Sequence, residues 1–218
     1  DESTQHFGRT LSEKIKDIEE INQHNRFAVE KLSELSAALR SQSRKEDDLT
    51  ELVDLNEVIT DSMLLVKGKT KVFEVVRDFG EIPLITCYRS RVGQVLTNIL
   101  SNAADAVSEQ KKNYQQIGKK DFVGRIKIST LVKIDNDQNG LLITISDNGP
   151  GVSEELREKI FEQFYTTKPA GEGTGLGLAM CIDIVKDHGG WLIVKEDPDY
   201  NGACFQLWLP NVGASKVA

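Results

Sequence analysis

Nothing in this sequence approaches the length of an apolar membrane span, and no signal-peptide pattern opens it. No membrane partner is therefore expected for these 218 residues. An excess of positive charge is missing too. The formal net charge is −7, which argues against an electrostatic surface for nucleic acid or anionic lipid. Cysteine is scarce: Cys87, Cys181 and Cys204 show no metal-ligand spacing, and their odd number suits a reducing cytoplasm. Internal repeats and low-complexity tracts are absent. So is an initiating methionine; the chain begins at Asp1 and reads as a fragment whose parent could carry a sensor or membrane segment upstream.

Residues 9–46 contain neither glycine nor proline. Leu11, Ile15, Ile18, Asn22, Asn25, Val29, Leu32, Ser36 and Leu39 follow a 4-3 spacing, with Ile21, Ala28 and Leu35 alongside. The spacing predicts a helix of about eight turns with a coiled-coil-like seam, broken near its middle by polar residues. So apolar a stripe calls for a partner helix. Residues 1–46 are thus expected to form a dimerisation helix, 47–53 a linker and 54–213 the main domain.

Within the main domain, Asp54-Leu-Asn-Glu57 reads as a capping box, with Leu55, Val58, Ile59, Met63 and Val66 as the buried stripe that follows. Lys67-Gly-Lys breaks that helix, and Lys71–Val76 is expected as a strand. Residues 125–134 and 141–146 predict paired strands around an Asp135–Gly140 turn. Ser153–Arg157 should open a short helix, Gly175–Asp187 a longer one, and 191–195 and 203–209 the closing strands. The stretch from Gln94 to Asp105 has two faces. Val92, Val95, Leu96, Ile99, Leu100 and Ala103 form an apolar stripe, while Gln94, Asn98, Asn102 and Asp105 form a polar one on successive turns. Stacked amides of this kind suit one wall of a cavity for a hydrated cation and phosphates. That helix is expected to end near Glu109, with a polar loop from Lys111 to Lys120.

Asp147 ends a strand and precedes Asn-Gly-Pro-Gly. A carboxylate fixed there can accept a hydrogen bond from an exocyclic amine, which separates adenine from guanine. Gly149 and Gly151 let a flat ring lie against backbone. Alone, the segment would read as a tight turn. Gly171, Gly173, Gly175 and Gly177 precede an apolar helix, and their backbone N–H groups make a phosphate cradle. Neither a Walker loop nor a dinucleotide fingerprint fits this spacing. Between the two glycine segments, Phe161–Glu172 is expected to be a mobile lid anchored by Phe161 and Phe164, with Tyr165 and Lys168 near the nucleotide.

The order of Gln94–Asp105, Asp147–Val152, Phe161–Lys168 and Gly171–Leu178 resembles the N, first glycine, F and second glycine boxes of the histidine-kinase ATP-binding domain. The wider superfamily holds gyrase, the ninety-kilodalton heat-shock chaperones and MutL proteins. The resemblance covers roughly residues 50–210. It implies an α/β (α+β) sandwich: a mixed sheet covered on one face by helices, with ATP under the lid, preceded by the long helix. It implies ATP and Mg2+ as ligands, with Asn98 and Asn102 as catalytic residues. Asn102 ligates Mg2+, and Asn98 is a second candidate. The implied nucleotide-binding set is Asn98, Asn102, Asp105, Asp147, Gly149, Gly151, Tyr165, Thr167, Lys168, Gly173, Thr174, Gly175, Leu176, Gly177 and Leu178.

Superfamily members that hydrolyse ATP carry Glu where Asn98 stands, and an amide cannot take the proton of an attacking water. The resemblance therefore implies phosphoryl transfer to a histidine, and relay to an Asp on a response-regulator receiver domain. Two positions depart from the family pattern: Tyr88 for an Asp ahead of the helix, and Ala203 for Thr or Ser. A phosphoacceptor segment is also missing. His6 and His24 carry no such motif, so the acceptor histidine is unknown. An ATP-hydrolysing module, a non-enzymatic nucleotide-regulated scaffold and a serine-directed kinase of the anti-sigma type stay open as alternatives.

Overall fold

The computed structural model describes residues 50–119, 121–169 and 173–211, together with 14–16, 18, 21, 22 and 25. Two compact units divide the chain. Asp1–Glu46 groups with Thr166–Thr174, and Asp47–Tyr165 groups with Gly175–Ala218.

In the first unit, the described N-terminal residues are helical and exposed, including Ile15, Ile18 and Ile21. That matches the helix expected there. The rest of the seam, the linker as far as residue 49, and both His6 and His24 lie outside the described residues.

The second unit begins with strand β1 (Glu51–Val53), which pairs antiparallel with β3 (Ile85–Cys87). The expected linker therefore ends in a strand, whose Val53 is buried. Helix α1 (Leu55–Leu65) follows, with the Asp54 carboxylate accepting the Asn56 N–H at 2.8 Å. The cap is present but its box is not, since Glu57 lies 3.7 Å from Arg89 instead. A one-turn helix α2 (Lys67–Thr70) occupies the expected break. Strand β2 (Glu74–Phe79) begins three residues later than expected, because its register is set by parallel pairing with β4.

Helix α3 (Arg89–Gln116) runs seven residues past Glu109. Its last turns carry little apolar surface, but Tyr114 packs on Phe122, with ring centroids 4.9 Å apart. Then come β4 (Arg125–Asp135) and β5 (Gln138–Asp147), two single 3-10 turns at Glu154–Leu156 and Lys159–Phe161, helix α4 (Gly177–Asp187), β6 (Trp191–Glu196) and β7 (Ala203–Pro210). The short helix expected after Ser153 is thus two separate turns.

The main sheet has the order β2-β4-β5-β7-β6, parallel only between β2 and β4. Ile126, Ile128, Ile143 and Ile145 of the sheet share one buried core with Val92, Leu96, Ile99 and Leu100 of α3 and Ile184 and Val185 of α4. Burying one such side chain contributes about 1.5–3 kcal/mol. The apolar stripe of α3 thus faces the sheet, which fixes the direction of its polar stripe. The mixed sheet with helices on one face agrees with the expected α+β class.

Candidate functional site

Asp147 sits at the C-terminal end of β5 and is only 1% exposed. Its Oδ1 accepts the Gly149 N–H at 2.8 Å, and the Ala203 N–H also bonds the carboxylate. Burial pushes this carboxyl up to about 6, against the smaller lowering by those two backbone donors and with a further upward push from Asp197. A carboxylate this dry accepts hydrogen bonds more strongly than one in water. Its buried position is costly and is matched by few partners.

The backbone around it is crowded. A Cβ on Gly149 would meet the Ala106 Cβ of α3 and the Asp147 Oδ1, each at 2.8 Å. Gly149 is therefore needed for loop-to-helix approach, a reason the sequence did not reveal because Ala106 is an ordinary small helix residue. A Cβ on Gly202 would collide with the Asp147 carbonyl oxygen. Gly202 and Ala106 are the positions around Asp147 that the sequence reading missed. Gly151 adopts φ +75, a region that favours glycine. Asn148 completes the turn, its Oδ1 accepting the Arg125 N–H at 2.7 Å and its Nδ2 donating to the Val123 carbonyl at 2.8 Å. Gly202→Ala should force β7 away from the end of β5. The expected outcome is a loss of about 1–3 kcal/mol in stability, read by thermal unfolding.

The amide stripe of α3 does not line a cavity uniformly. Gln94 Nε2 donates to Met180 Sδ at 3.2 Å. Asn98 Nδ2 donates to the Gly177 carbonyl at 3.3 Å and to Cys181 Sγ at 3.6 Å. Two of the amides therefore fasten α3 to α4. Turning its NH2 to acceptors on α4 leaves the Asn98 carbonyl oxygen unspent in those contacts. Asn102, one turn further, is half-buried, and its amide has no hydrogen-bond partner among the described residues. Asp105 bonds Lys69 of α2 at 2.9 and 3.2 Å, and Ser101 accepts from the same ammonium at 2.9 Å. Lys69 was not singled out from the sequence. The neighbouring Cys181 thiol is pushed up to about 12 by burial, which keeps it protonated and inert.

The second glycine segment divides by cause. Gly175 has φ +65, and a Cβ there would collide with the Phe164 backbone, whose N–H donates to the Gly175 carbonyl at 2.9 Å. Glycine is required there by the fold. At Gly177 a Cβ would stand 3.6 Å from the Asn98 amide, an ordinary contact. Packing among the described residues therefore does not demand glycine at 177. Leu176 caps α4, its carbonyl accepting from Met180 N–H at 2.9 Å, and Leu178 packs on the core.

Phe161 also packs against the core, as expected of a lid anchor. Phe164 does not. It is 71% exposed with φ +67, so its backbone rather than its ring is the tether. Tyr165 is half-buried, its N–H bonding the Glu162 carbonyl at 3.3 Å. Thr167, Lys168, Gly173 and Thr174 belong to the other compact unit, where the Lys168 N–H donates to Thr166 Oγ1 at 3.2 Å. Gly171 lies outside the described residues.

A buried acceptor at a strand end and a helix amide with no hydrogen-bond partner among the described residues suit a purine nucleotide and a cation. Comparison with known proteins points the same way. The family model for histidine kinase-, DNA gyrase B- and HSP90-like ATPases matches residues 87–213. The signal transduction histidine-protein kinase AtoS of Escherichia coli K12 is 35% identical, over 92% of this chain and 28% of AtoS. The sensor protein ChvG of Rhizobium meliloti is 32% identical, over 94% of this chain and 33% of ChvG. The chain thus spans about a third or less of these curated relatives. Among solved structures, the mycobacterial sensor histidine kinase MprB aligns with a TM-score of 0.59 at 29% identity, covering 74% of this chain and 97% of that one. The histidine kinase ThkA in complex with the response regulator protein TrrA aligns at 0.61 and 27%, covering 86% and 50%. No helix among the described residues is long and apolar enough to cross a membrane.

Proposed function

We propose, because this chain belongs to the histidine kinase-, DNA gyrase B- and HSP90-like ATPase family and carries the histidine-kinase catalytic domain, that it binds ATP with Mg2+ for γ-phosphoryl transfer to a histidine. The observation that carries this reading is the Asn102 amide, without a hydrogen-bond partner among the described residues, one turn from Asn98, with no acidic residue standing at either place. Asp147 accepts the adenine amino group. Gly177 keeps side-chain bulk away from the Asn98 amide, beside which the phosphates would lie. Asn102 supplies an amide oxygen to Mg2+, and Asn98 is the second candidate ligand. Mg2+, when bound, would neutralise phosphate charge during transfer, and it retains several waters, so few protein ligands suffice. Asp105 is kept as a nucleotide-binding candidate on the resemblance, with Lys69 paired to it at 2.9 Å. Tyr165, Thr167 and Lys168 are kept as nucleotide contacts on the sequence resemblance alone.

Asn98 separates transfer from hydrolysis. A carboxylate there would be a base for water, whereas an amide donating to the Gly177 carbonyl takes no proton. A histidine acceptor brings its own nucleophile. In the parent protein, the phosphate would pass to an Asp of a response-regulator receiver domain, and the domain would act on the cytoplasmic side. We also read the N-terminal helix as a homodimer element, on the exposed Ile15, Ile18 and Ile21. Sedimentation showing a monomer at every concentration removes that part.

The function is tested with γ-labelled ATP and the parent protein containing its acceptor histidine. Acid-labile, base-stable label on the protein is expected, with slow release of free phosphate. Steady phosphate release without protein labelling would favour the ATP-hydrolysing alternative.

A further inference from the structure

His188 closes helix α4 and is half-buried against the start of α3. Its Nδ1 lies 2.7 Å from the Ile184 carbonyl, and its Nε2 accepts the Tyr88 N–H at 3.2 Å. Each partner has one possible role. A carbonyl only accepts, so Nδ1 carries the proton; a backbone N–H only donates, so Nε2 carries the lone pair. Both contacts together require the neutral Nδ1–H tautomer.

The link stands where α3 has no side-chain cap of its own. Tyr88 is the residue before the helix and gives no capping hydrogen bond. Its ring instead meets the His188 ring edge-on, with centroids 5.3 Å apart, and Arg91 lies 5.7 Å from its centroid. The charged groups around the imidazole are Arg91 of α3 and Asp187 of α4, paired at 2.8 Å, with the exposed Lys186 on the same last turn. At the opposite end of the same helix pair, Asn98 bonds Gly177. Helix α4 is therefore fastened to the first half of α3 at both its ends, and the nucleotide residues lie between α3 residues 98 and 102 and the start of α4.

We propose that His188 is a positioning residue of the nucleotide site: as the Nδ1–H tautomer it locks the start of α3 to the end of α4, and losing that lock weakens nucleotide binding. This rests on the nucleotide-site reading above. His188 touches no nucleotide and acts through Tyr88.

The test compares wild type, His188→Gln and His188→Phe. Glutamine keeps an acceptor near Nε2; phenylalanine keeps the ring and loses both bonds. Affinity for a non-hydrolysable ATP analogue is measured by calorimetry at pH 8, with Mg2+. His188→Phe should lose about tenfold in affinity, the value of one lost polar contact. His188→Gln should stay within about twofold of wild type. Equal loss in both variants would overturn the proposal. Nitrogen-15 NMR of the wild-type imidazole gives an independent reading that needs neither a variant nor a nucleotide. It should show the proton on Nδ1 at pH 8, and a proton on Nε2 instead would overturn the lock. A wild-type chain showing the Nδ1–H signature but no nucleotide binding would overturn the site reading, and the functional half of the proposal with it.

Discussion

Asp147→Asn should lower ATP affinity by about 10- to 100-fold and, in the nucleotide-free protein, raise stability. The first effect follows from replacing a charged acceptor with an amide whose NH2 can face the adenine amino group. Hydrogen bonds to charged groups contribute about 1.5–3 kcal/mol, and each 1.4 kcal/mol is tenfold. The second follows from burial. The folded carboxyl titrates near 6 against an ordinary value of 3.8, so the folded state holds the extra proton between those values. Stability is then greatest below pH 3.8, falls as pH rises through 6, and stays low above it. Two units correspond to about 3 kcal/mol, an upper limit for the gain, since asparagine offers a single acceptor oxygen to two backbone donors. The check is paired: calorimetric ATP affinity at neutral pH, and thermal unfolding without nucleotide. Wild-type affinity should also fall as pH drops below 6. Unchanged affinity in the variant would remove the adenine assignment.

Asn102→Ala should remove the Mg2+ dependence of nucleotide binding without weakening the fold. The amide has no hydrogen-bond partner among the described residues, and alanine is a better helix former than asparagine. Unfolding temperature should hold or rise. Affinity for the Mg2+ complex should drop about 10- to 100-fold, to the value found with chelator present, the scale of a lost contact to a charged partner. Magnesium titration of the variant and wild type side by side reads the effect directly. A variant that keeps its Mg2+ response would move the ligand role to Asn98. Cleanly separated stability and binding effects would show that Asn102 is held for its ligand rather than for the core.

Much of this site was legible because its chemistry is local. Asp147 at a strand end and Gly175 and Gly177 before an apolar helix are set by a few neighbouring residues, and the structure places these three at the end of β5 and the start of α4. What depends on distant partners was not legible. Nothing near Gln94 in sequence announces Met180, nor does anything near Asp105 announce Lys69. Phe164 illustrates the converse error. An aromatic in a lid suggests packing, yet its positive φ and the bond to Gly175 turn its ring outward. Element ends failed for a similar reason. The last turns of α3 continue through Lys111 and Lys112, where no apolar stripe marks them, and β1 is too short to show a period.

The measurement that bears most directly on the account is a titration of this chain with a non-hydrolysable ATP analogue, with and without Mg2+, set against the guanine counterpart. Saturable binding that prefers adenine and tightens with Mg2+ is predicted. Absence of binding at millimolar nucleotide would contradict it and leave a nucleotide-free scaffold as the better reading.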